Sequence, residues 1–330
     1  MVRLLTDANV YYLSGEACRG MTGVRFTGAT LDRASELRND RIEMDRLLAD
    51  PRARFVGASA DHVVVSSHEA DGAVHLLRRP LDGQVNPYQP ILLGLEEDGR
   101  PLFAADLSEG EAGALLEATG TGRLLSLRNA GLLLSQAEGG LAAYLVALLN
   151  WHRTHMFCSM CGSGTKVAEA GLSRRCPRCR ATHFPRTDPV VIMLVSDGER
   201  VLLGRRIGWE AGRFSILAGF VSSGETPEEA IIREVREESG IEAYSPRYVA
   251  SQPWPFPSSL MLGFEAGADG GEPVPQMSEM ADVRWFTLDE IKAAQQLSGQ
   301  LADGSLRLPG EVSIARSLID GWVARGGRRL

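Results

Sequence analysis

Apolar and polar residues follow two rhythms along this chain, and each change of rhythm marks a predicted element. In the first 138 residues, β-rich runs at His62–Ser66, Val74–Leu77 and Ile91–Leu95 read as strands, with a further one at Arg100–Ala104. Glu109–Thr119 reads as a helix that stops at Gly120. Gly139–Met156 has helical spacing with apolar residues on more than one face. Further on, the apolar run Pro189–Val195 predicts a buried strand. Asp197-Gly198 is a hairpin signal, and Arg200–Leu203 is the returning strand. A short strand at Phe214–Leu217, a helix over 227–239 and a closing helix at Val312–Ala324 follow, with a surface turn at Gly267–Gly271. Strands interspersed with helices in this way predict an α+β or α/β layered fold.

The composition supports folding into more than one core. The chain has 330 residues, 44% of them hydrophobic and 23% charged. A net charge of -7 argues against a general nucleic-acid binder, which carries a basic surplus. It does not argue against a nucleotide, because a divalent ion can neutralise phosphates locally. The N-terminus lacks an apolar signal-peptide core, and Val190–Val195 is too short to cross a bilayer. The expectation is a soluble cytoplasmic protein with no membrane partner. Of five cysteines, Cys18 stands alone and is read as chemically silent.

The other four cysteines carry a chemical signal. Cys158 and Cys161 form one CxxC pair; after fourteen residues, Cys176 and Cys179 form another. Two such knuckles wrap one Zn²⁺ in four thiolates, and four cysteines leave no open position, so the zinc is structural. His155 and His183 are read as ordinary surface or packing residues. Arg174, Arg175, Arg178 and Arg180 are read as a solvated face, with RNA contact as the alternative.

The most informative stretch runs from Gly219 to Ile241. Thr226 is a good N-cap, Pro227 suits the first turn, Glu229 completes a capping box, and Gly240 suits the left-handed cap. On that helix Glu234, Glu237 and Glu238 share one face. Three clustered carboxylates need cationic compensation, which Arg233 and Arg236 supply in part and a hard divalent cation supplies further. Ile231, Ile232 and Val235 supply the buried side, so the carboxylates need not be core residues. An exposed charge-rich helix would be the plain interpretation of these glutamates alone. The full spacing G-x5-E-x7-R-E-U-x-E-E-x-G-U, with U aliphatic, is matched at Gly219, Glu225, Arg233, Glu234, Val235, Glu237, Glu238, Gly240 and Ile241. It resembles the Nudix box. That resemblance implies an α/β/α sandwich and glutamates that bind Mg²⁺ or Mn²⁺ and activate water. It makes Glu234 and Glu238 metal ligands and Glu237 a ligand or general base. It also makes the Ala218 carbonyl a further ligand, Glu225 and Arg233 braces, and Gly219 the residue that permits a tight loop.

Downstream lies Ser251-Gln-Pro-Trp-Pro-Phe-Pro-Ser-Ser259, read as a loop that its prolines stiffen into an extended form. Trp254 and Phe256 could stack on a flat ring, or could simply pack the loop. Following a box and a four-cysteine module, this stretch is similar to the NADH pyrophosphatase subfamily of Nudix hydrolases. The resemblance implies hydrolysis of NADH or NAD⁺ to nicotinamide mononucleotide and AMP, removal of NAD caps from RNA, and a homodimer with a shared pocket. By position it implies substrate contacts from Gln252, Pro253, Trp254, Pro255, Phe256, Pro257, Ser258 and Ser259, and from Phe184, Phe220 and Ala315. It also implies a late metal-binding glutamate at Glu279. Gly171 falls where some members have a substrate-binding glutamate, so that contact is not carried over. The implied layout is a Nudix-like N-terminal α/β domain (1–138), a linking helix (139–157), a zinc ribbon (158–186) and a catalytic domain (187–330). Two other readings stay open: a Nudix hydrolase for another nucleoside diphosphate such as ADP-ribose, and a non-catalytic zinc-ribbon protein that binds RNA.

Overall fold

A computed structural model describes residues 23–67, 72–81, 90–296 and 304–329. Cys18 lies outside the described residues. The N-terminal part comprises α1 (Arg41–Ala49), β1 (Arg54–Ser59), β2 (His62–Ser67), β3 (Val74–Leu76), β4 (Arg79–Pro80), β5 (Leu92–Leu95), β6 (Pro101–Asp106), α2 (Glu109–Thr119), β7 (Gly122–Ser126), α3 (Leu127–Leu133) and α4 (Gln136–Thr154). A small antiparallel sheet of β8 (Lys166–Ala168), β9 (Ser173–Arg175) and β10 (Thr182–His183) carries the cysteines. The C-terminal part comprises β11 (Asp188–Ser196), β12 (Arg200–Arg206), β13 (Leu217–Phe220), α5 (Pro227–Ser239), β14 (Ala243–Trp254), β15 (Ser259–Ala268), β16 (Met280–Thr287), α6 (Leu288–Gln296) and α7 (Ile314–Ala324).

The C-terminal sheet has the order β14-β15-β11-β12-β16, with β13 beside β11. Its central strand explains the layering. Val191, Met193 and Val195 face α5 and pack on Ala230, Ile231 and Val235. Ile192 and Leu194 face the other way, onto Ile314, Leu318 and Trp322 of α7. A strand with period two is therefore apolar on both faces, which is why it reads as an unbroken apolar run. The result is an α/β/α sandwich, as expected. Burying Ile231 and Val235 alone contributes about 1.5–3 kcal/mol each. The N-terminal sheet, ordered β3-β2-β1-β6-β5 with β4 beside β1 and β7 beside β2, is covered by α3 and α4 on one face and by α1 and α2 on the other.

Several elements differ from the sequence reading. β1 was not anticipated: every residue after Arg54 is buried, so no alternation marks it. α4 starts earlier than Gly139, because the Ser135 side chain caps it by accepting from the Glu138 amide. The short strand predicted at Phe214–Leu217 lies at Leu217–Phe220, with only a bridge between Ser215 and Gly204 before it. The proline-rich stretch is a hairpin rather than a loop. β14 continues to Trp254, β15 starts at Ser259, and the turn between them contains a cis Phe256–Pro257 bond. Pro253 is tolerated in β14 because that strand lies at the sheet edge.

The small sheet is fastened to the N-terminal part by buried polar contacts. The Arg38 guanidinium donates to Leu92 O, Leu93 O and Ala170 O. His152 on α4 bonds Gly171 O at 2.9 Å through Nε2 and meets Arg174 Nη1 at 3.0 Å through Nδ1. Arg174 also donates to the Thr165 hydroxyl and carbonyl. It is thus buried and spent, whereas Arg175, Arg178 and Arg180 are exposed as a solvated face should be.

Candidate active site

The site is built on the first turns and inner face of α5. The Thr226 hydroxyl accepts from the Glu229 amide, the Glu229 carboxylate accepts from the Thr226 amide, and Gly240 ends the helix at φ 68°. Arg233 ties the preceding loop to the helix. It donates twice to Glu225, at 2.7 and 2.8 Å, and once to the Phe220 carbonyl at 3.0 Å. These bonds hold the Glu225 carboxyl down at about 2. The remaining Arg233 nitrogen reaches Glu234 at 2.7 Å and Glu237 at 3.0 Å.

Gly219 has a different role from the tight turn expected of it. Its φ is not among the positive ones, so conformational freedom does not explain it. A Cβ there would lie 1.9 Å from the Glu234 carboxyl carbon. Glycine is needed because the carboxylate rests directly against the backbone.

Glu238 also departs from expectation. The sequence reading did not require any of the three carboxylates to be a core residue, yet Glu238 is only 2% exposed. Its Oε1 lies 3.4 Å from Arg206 Nη2, and its Oε2 has no hydrogen-bond partner. Burial pushes its pKa up to about 7; Arg206 opposes the shift and Glu234 adds to it. The same Arg206 nitrogen donates to the Ala218 carbonyl at 3.1 Å. An orphaned buried carboxylate oxygen, a neighbouring carbonyl and the Glu234 carboxylate make an all-oxygen donor set that suits a hard divalent cation. Glu279 sits on the adjoining turn, where its carbonyl accepts from the Ile207 amide at 2.9 Å. Its carboxylate is exposed, and among the described residues neither it nor the three box glutamates converge into one set of ligand atoms as the four cysteines do.

Beside Glu238 opens a cavity of about 560 Å³. Its walls include Ala218, Gly219, Phe220, the hairpin residues Gln252, Trp254, Phe256 and Ser259, and Ala315 at the start of α7. Phe220 is 61% exposed and offers a free ring face. Gln252 corrects its expected role: its amide is fully buried and donates to Arg25 O and Val312 O while accepting from the Ile314 amide. Its hydrogen-bonding capacity is used to join three segments of backbone. Ser258 is likewise engaged, donating to Asp188 at 2.8 Å. Pro253, Pro255, Pro257 and Ser258 are absent from the cavity wall. Trp254 and Phe256 meet edge to face at 5.0 Å and pack on Phe26. Arg128 of α3 lies over both rings, 4.7 Å from Trp254 and 4.1 Å from Phe256. Sequence reasoning missed Arg128, because nothing in its neighbourhood links it to a hairpin so far along the chain.

The four cysteine sulfurs converge within 4.8 Å of one another. Cys158 and Cys179 are 3.5 Å apart, as are Cys161 and Cys176. Four sulfurs about 2.3 Å from a central zinc are separated by slightly more than this, so the cluster fits structural zinc. His183 Nε2 lies 3.3 Å from the Cys158 sulfur, close enough to orient a thiolate without being a ligand. His155 instead bonds Thr154 and the Trp151 carbonyl.

Comparison with known proteins places this geometry. The NUDIX domain matches residues 185–304, the NADH pyrophosphatase zinc ribbon domain matches 153–184, and the NADH pyrophosphatase-like rudimentary NUDIX domain matches 49–151. The NAD-capped RNA hydrolase NudC of Mycobacterium bovis is 35% identical over 92% of this chain and 98% of its own length. The chain belongs to the NADH pyrophosphatase family of Nudix hydrolases. A NudC from Stutzerimonas stutzeri is 42% identical over 56% of the chain and 62% of that protein. The mitochondrial NAD(P)H pyrophosphatase NUDT13 of Mus musculus is 39% identical over 71% of each.

Within this NADH pyrophosphatase, the structure brings together Ala218, Gly219, Phe220, Glu238, the hairpin rings and Ala315 around one cavity. Phe184 is 64% exposed on the zinc ribbon and is absent from the cavity wall. Gly171 has φ 100°, and a Cβ there would press on Ile91 at 2.8 Å, so a glutamate would not fit without rearrangement.

Proposed function

We propose that this Nudix hydrolase cleaves the diphosphate bond of NADH and NAD⁺ to nicotinamide mononucleotide and AMP, and removes NAD caps from RNA 5′ ends. One observation carries the reading: the orphaned Glu238 carboxylate and the Gly219–Glu234 contact open onto a ring-lined cavity of nucleotide size. The names of the mycobacterial and mouse relatives point the same way.

Glu234, Glu238 and the Ala218 carbonyl would hold Mg²⁺ or Mn²⁺, with Glu279 as a further ligand once its turn closes on the site. When bound, such an ion offsets phosphate charge and makes water a better nucleophile. Glu237, exposed and paired with Arg233, serves as a further ligand or as the base that takes the proton from the attacking water. Glu225 and Arg233 keep the loop in place beneath Phe220. Phe220 stacks on one ring of the dinucleotide, and the hairpin and Ala315 enclose it, so binding supplies part of the rate by positioning. The cysteines hold Zn²⁺ in a structural site.

Met156, Phe157, Met160 and Phe184 leave an apolar patch exposed on the zinc ribbon. A homodimer in which a second copy covers these side chains belongs to the same reading. No helix among the described residues is long and apolar enough to cross a membrane. A cytoplasmic location and the division at residues 138, 157 and 186 belong to the same reading.

Hydrolysis of NADH, ADP-ribose and a 5′-NAD-capped RNA, compared at matched low concentrations with Mn²⁺, tests it. NADH and the capped RNA should both be cut, and faster than ADP-ribose. Cleavage of ADP-ribose alone would contradict the substrate assignment while leaving the Nudix chemistry standing.

A further inference from the structure

Arg206 has no part in the box, yet it touches two groups that the proposed metal site needs, the Ala218 carbonyl and the Glu238 carboxylate. Its Nη2 lies 3.1 Å from the Ala218 carbonyl oxygen and 3.4 Å from Glu238 Oε1, the neighbour of the orphaned Oε2. A divalent ion bound to that carbonyl and that carboxylate would stand about 2.0–2.6 Å from its ligand oxygens. The guanidinium and the ion therefore compete for the same small volume and the same negative charge.

The local backbone explains how the side chain arrives there. The pairing of β12 with β16 runs in register from Arg200 to Arg205 and then slips at Arg206, which pairs with Met280. A bulge of this kind re-aims the side chain that follows it. Here the extra residue is Ala281 on β16, and at this sheet end Arg206 faces the carboxylate on α5. The two partners differ sharply in accessibility: the Glu238 side chain is 2% exposed and the Arg206 side chain 49%. The carboxylate is fixed, whereas the guanidinium has solvent to retreat into. Arginine keeps its charge at any working pH, so it is always present as a competitor.

We propose that Arg206 is a built-in, displaceable counter-ion for the metal position: it neutralises Glu238 while the ion is absent and swings out when a divalent cation binds. This rests on the reading of Glu238 and Ala218 as metal-site atoms. Its consequence is thermodynamic. The contact stabilises only the metal-free protein, so removing it destabilises that state and raises metal affinity by the same factor.

The test is Mn²⁺ titration of the zinc-loaded, substrate-free, full-length protein, with unbound Mn²⁺ followed by electron paramagnetic resonance. Arg206→Gln, and Arg206→Met with its apolar stem retained, should bind Mn²⁺ roughly three- to tenfold more tightly than wild type. Both should melt earlier than wild type without Mn²⁺ and alongside it at saturating Mn²⁺. Unchanged or weaker Mn²⁺ binding in these variants overturns the counter-ion role. Glu238→Gln separates the two layers of the argument. Loss of the Mn²⁺ site in this variant, together with unchanged binding in Arg206→Gln, overturns the counter-ion alone. Wild-type binding in Glu238→Gln overturns the metal assignment and the counter-ion with it.

Discussion

The two large sheets of this protein share one wiring plan. In each, a central strand pairs antiparallel with the next strand (β1 with β2, β11 with β12) and with a short one (β4, β13). It pairs parallel with a later strand (β6, β15), which carries an antiparallel edge partner (β5, β14). The second strand takes a late strand on its far side (β7, β16). The halves diverge in their connections, and one of these differences bears on the glutamates. Residues 221–242 join β13 to β14 and contain α5 with its glutamates, whereas residues 81–91 join β4 to β5 and contain no glutamate. The layered frame is therefore shared, and the proposed chemistry falls on the segment between two strands of the C-terminal half. The N-terminal half contributes support instead, through Phe26 and Arg128 against the hairpin and through Arg25 and α4 elsewhere.

Changes in each half should differ in kind as well as size. Gly219→Ala pushes the Glu234 carboxylate off the backbone and should lower kcat about a hundredfold with little loss of stability, because only the end of a side chain has to move. Steady-state kinetics alongside thermal melting would show it; unaltered kcat would break the link between Gly219 and Glu234. In the supporting half, burial holds His152 down at about 4, below its ordinary value of 6.5. The unfolded chain therefore takes up the proton first. Stability from this group is intact above pH 6.5 and is lost as pH falls toward 4, on the order of 3 kcal/mol in all. Melting between pH 4 and 7 should steepen accordingly, and His152→Gln should flatten that part of the profile. A variant with the wild-type slope would place the acid sensitivity elsewhere. Arg128→Ala, the smallest change, should raise KM for NADH about three- to tenfold and leave kcat nearly unchanged. A kcat loss as large as that of Gly219→Ala would mean that the N-terminal half takes part in the chemistry.

Local grammar was legible in the sequence; partnership was not. The α5 helix, both of its caps and the glutamate spacing depend on neighbours a few residues apart, and all could be read directly. The zinc cluster was legible for the same reason, since two knuckles fix their own geometry. Gln252 was misassigned because its partners Arg25, Val312 and Ile314 lie far away in the chain. The burial of Glu238 was not legible, because helical spacing alone does not reveal what β12 and β13 lay against it. Arg128 and Arg206 lay outside every motif. Their proximity to the site comes from the packing of α3 on the hairpin and from where the pairing of β12 with β16 ends.

We place catalysis on the glutamates of α5, of which Glu238 alone is buried, and on nothing in the N-terminal sheet. Glu238→Gln, assayed on NADH with saturating Mn²⁺, tests it most directly. The account predicts a loss of turnover on the order of a thousandfold. Melting in the absence of Mn²⁺ should show a folded protein, since the change removes the Arg206 ion pair but also a buried charge with an unpaired oxygen. Near-normal turnover in a folded Glu238→Gln protein would contradict it.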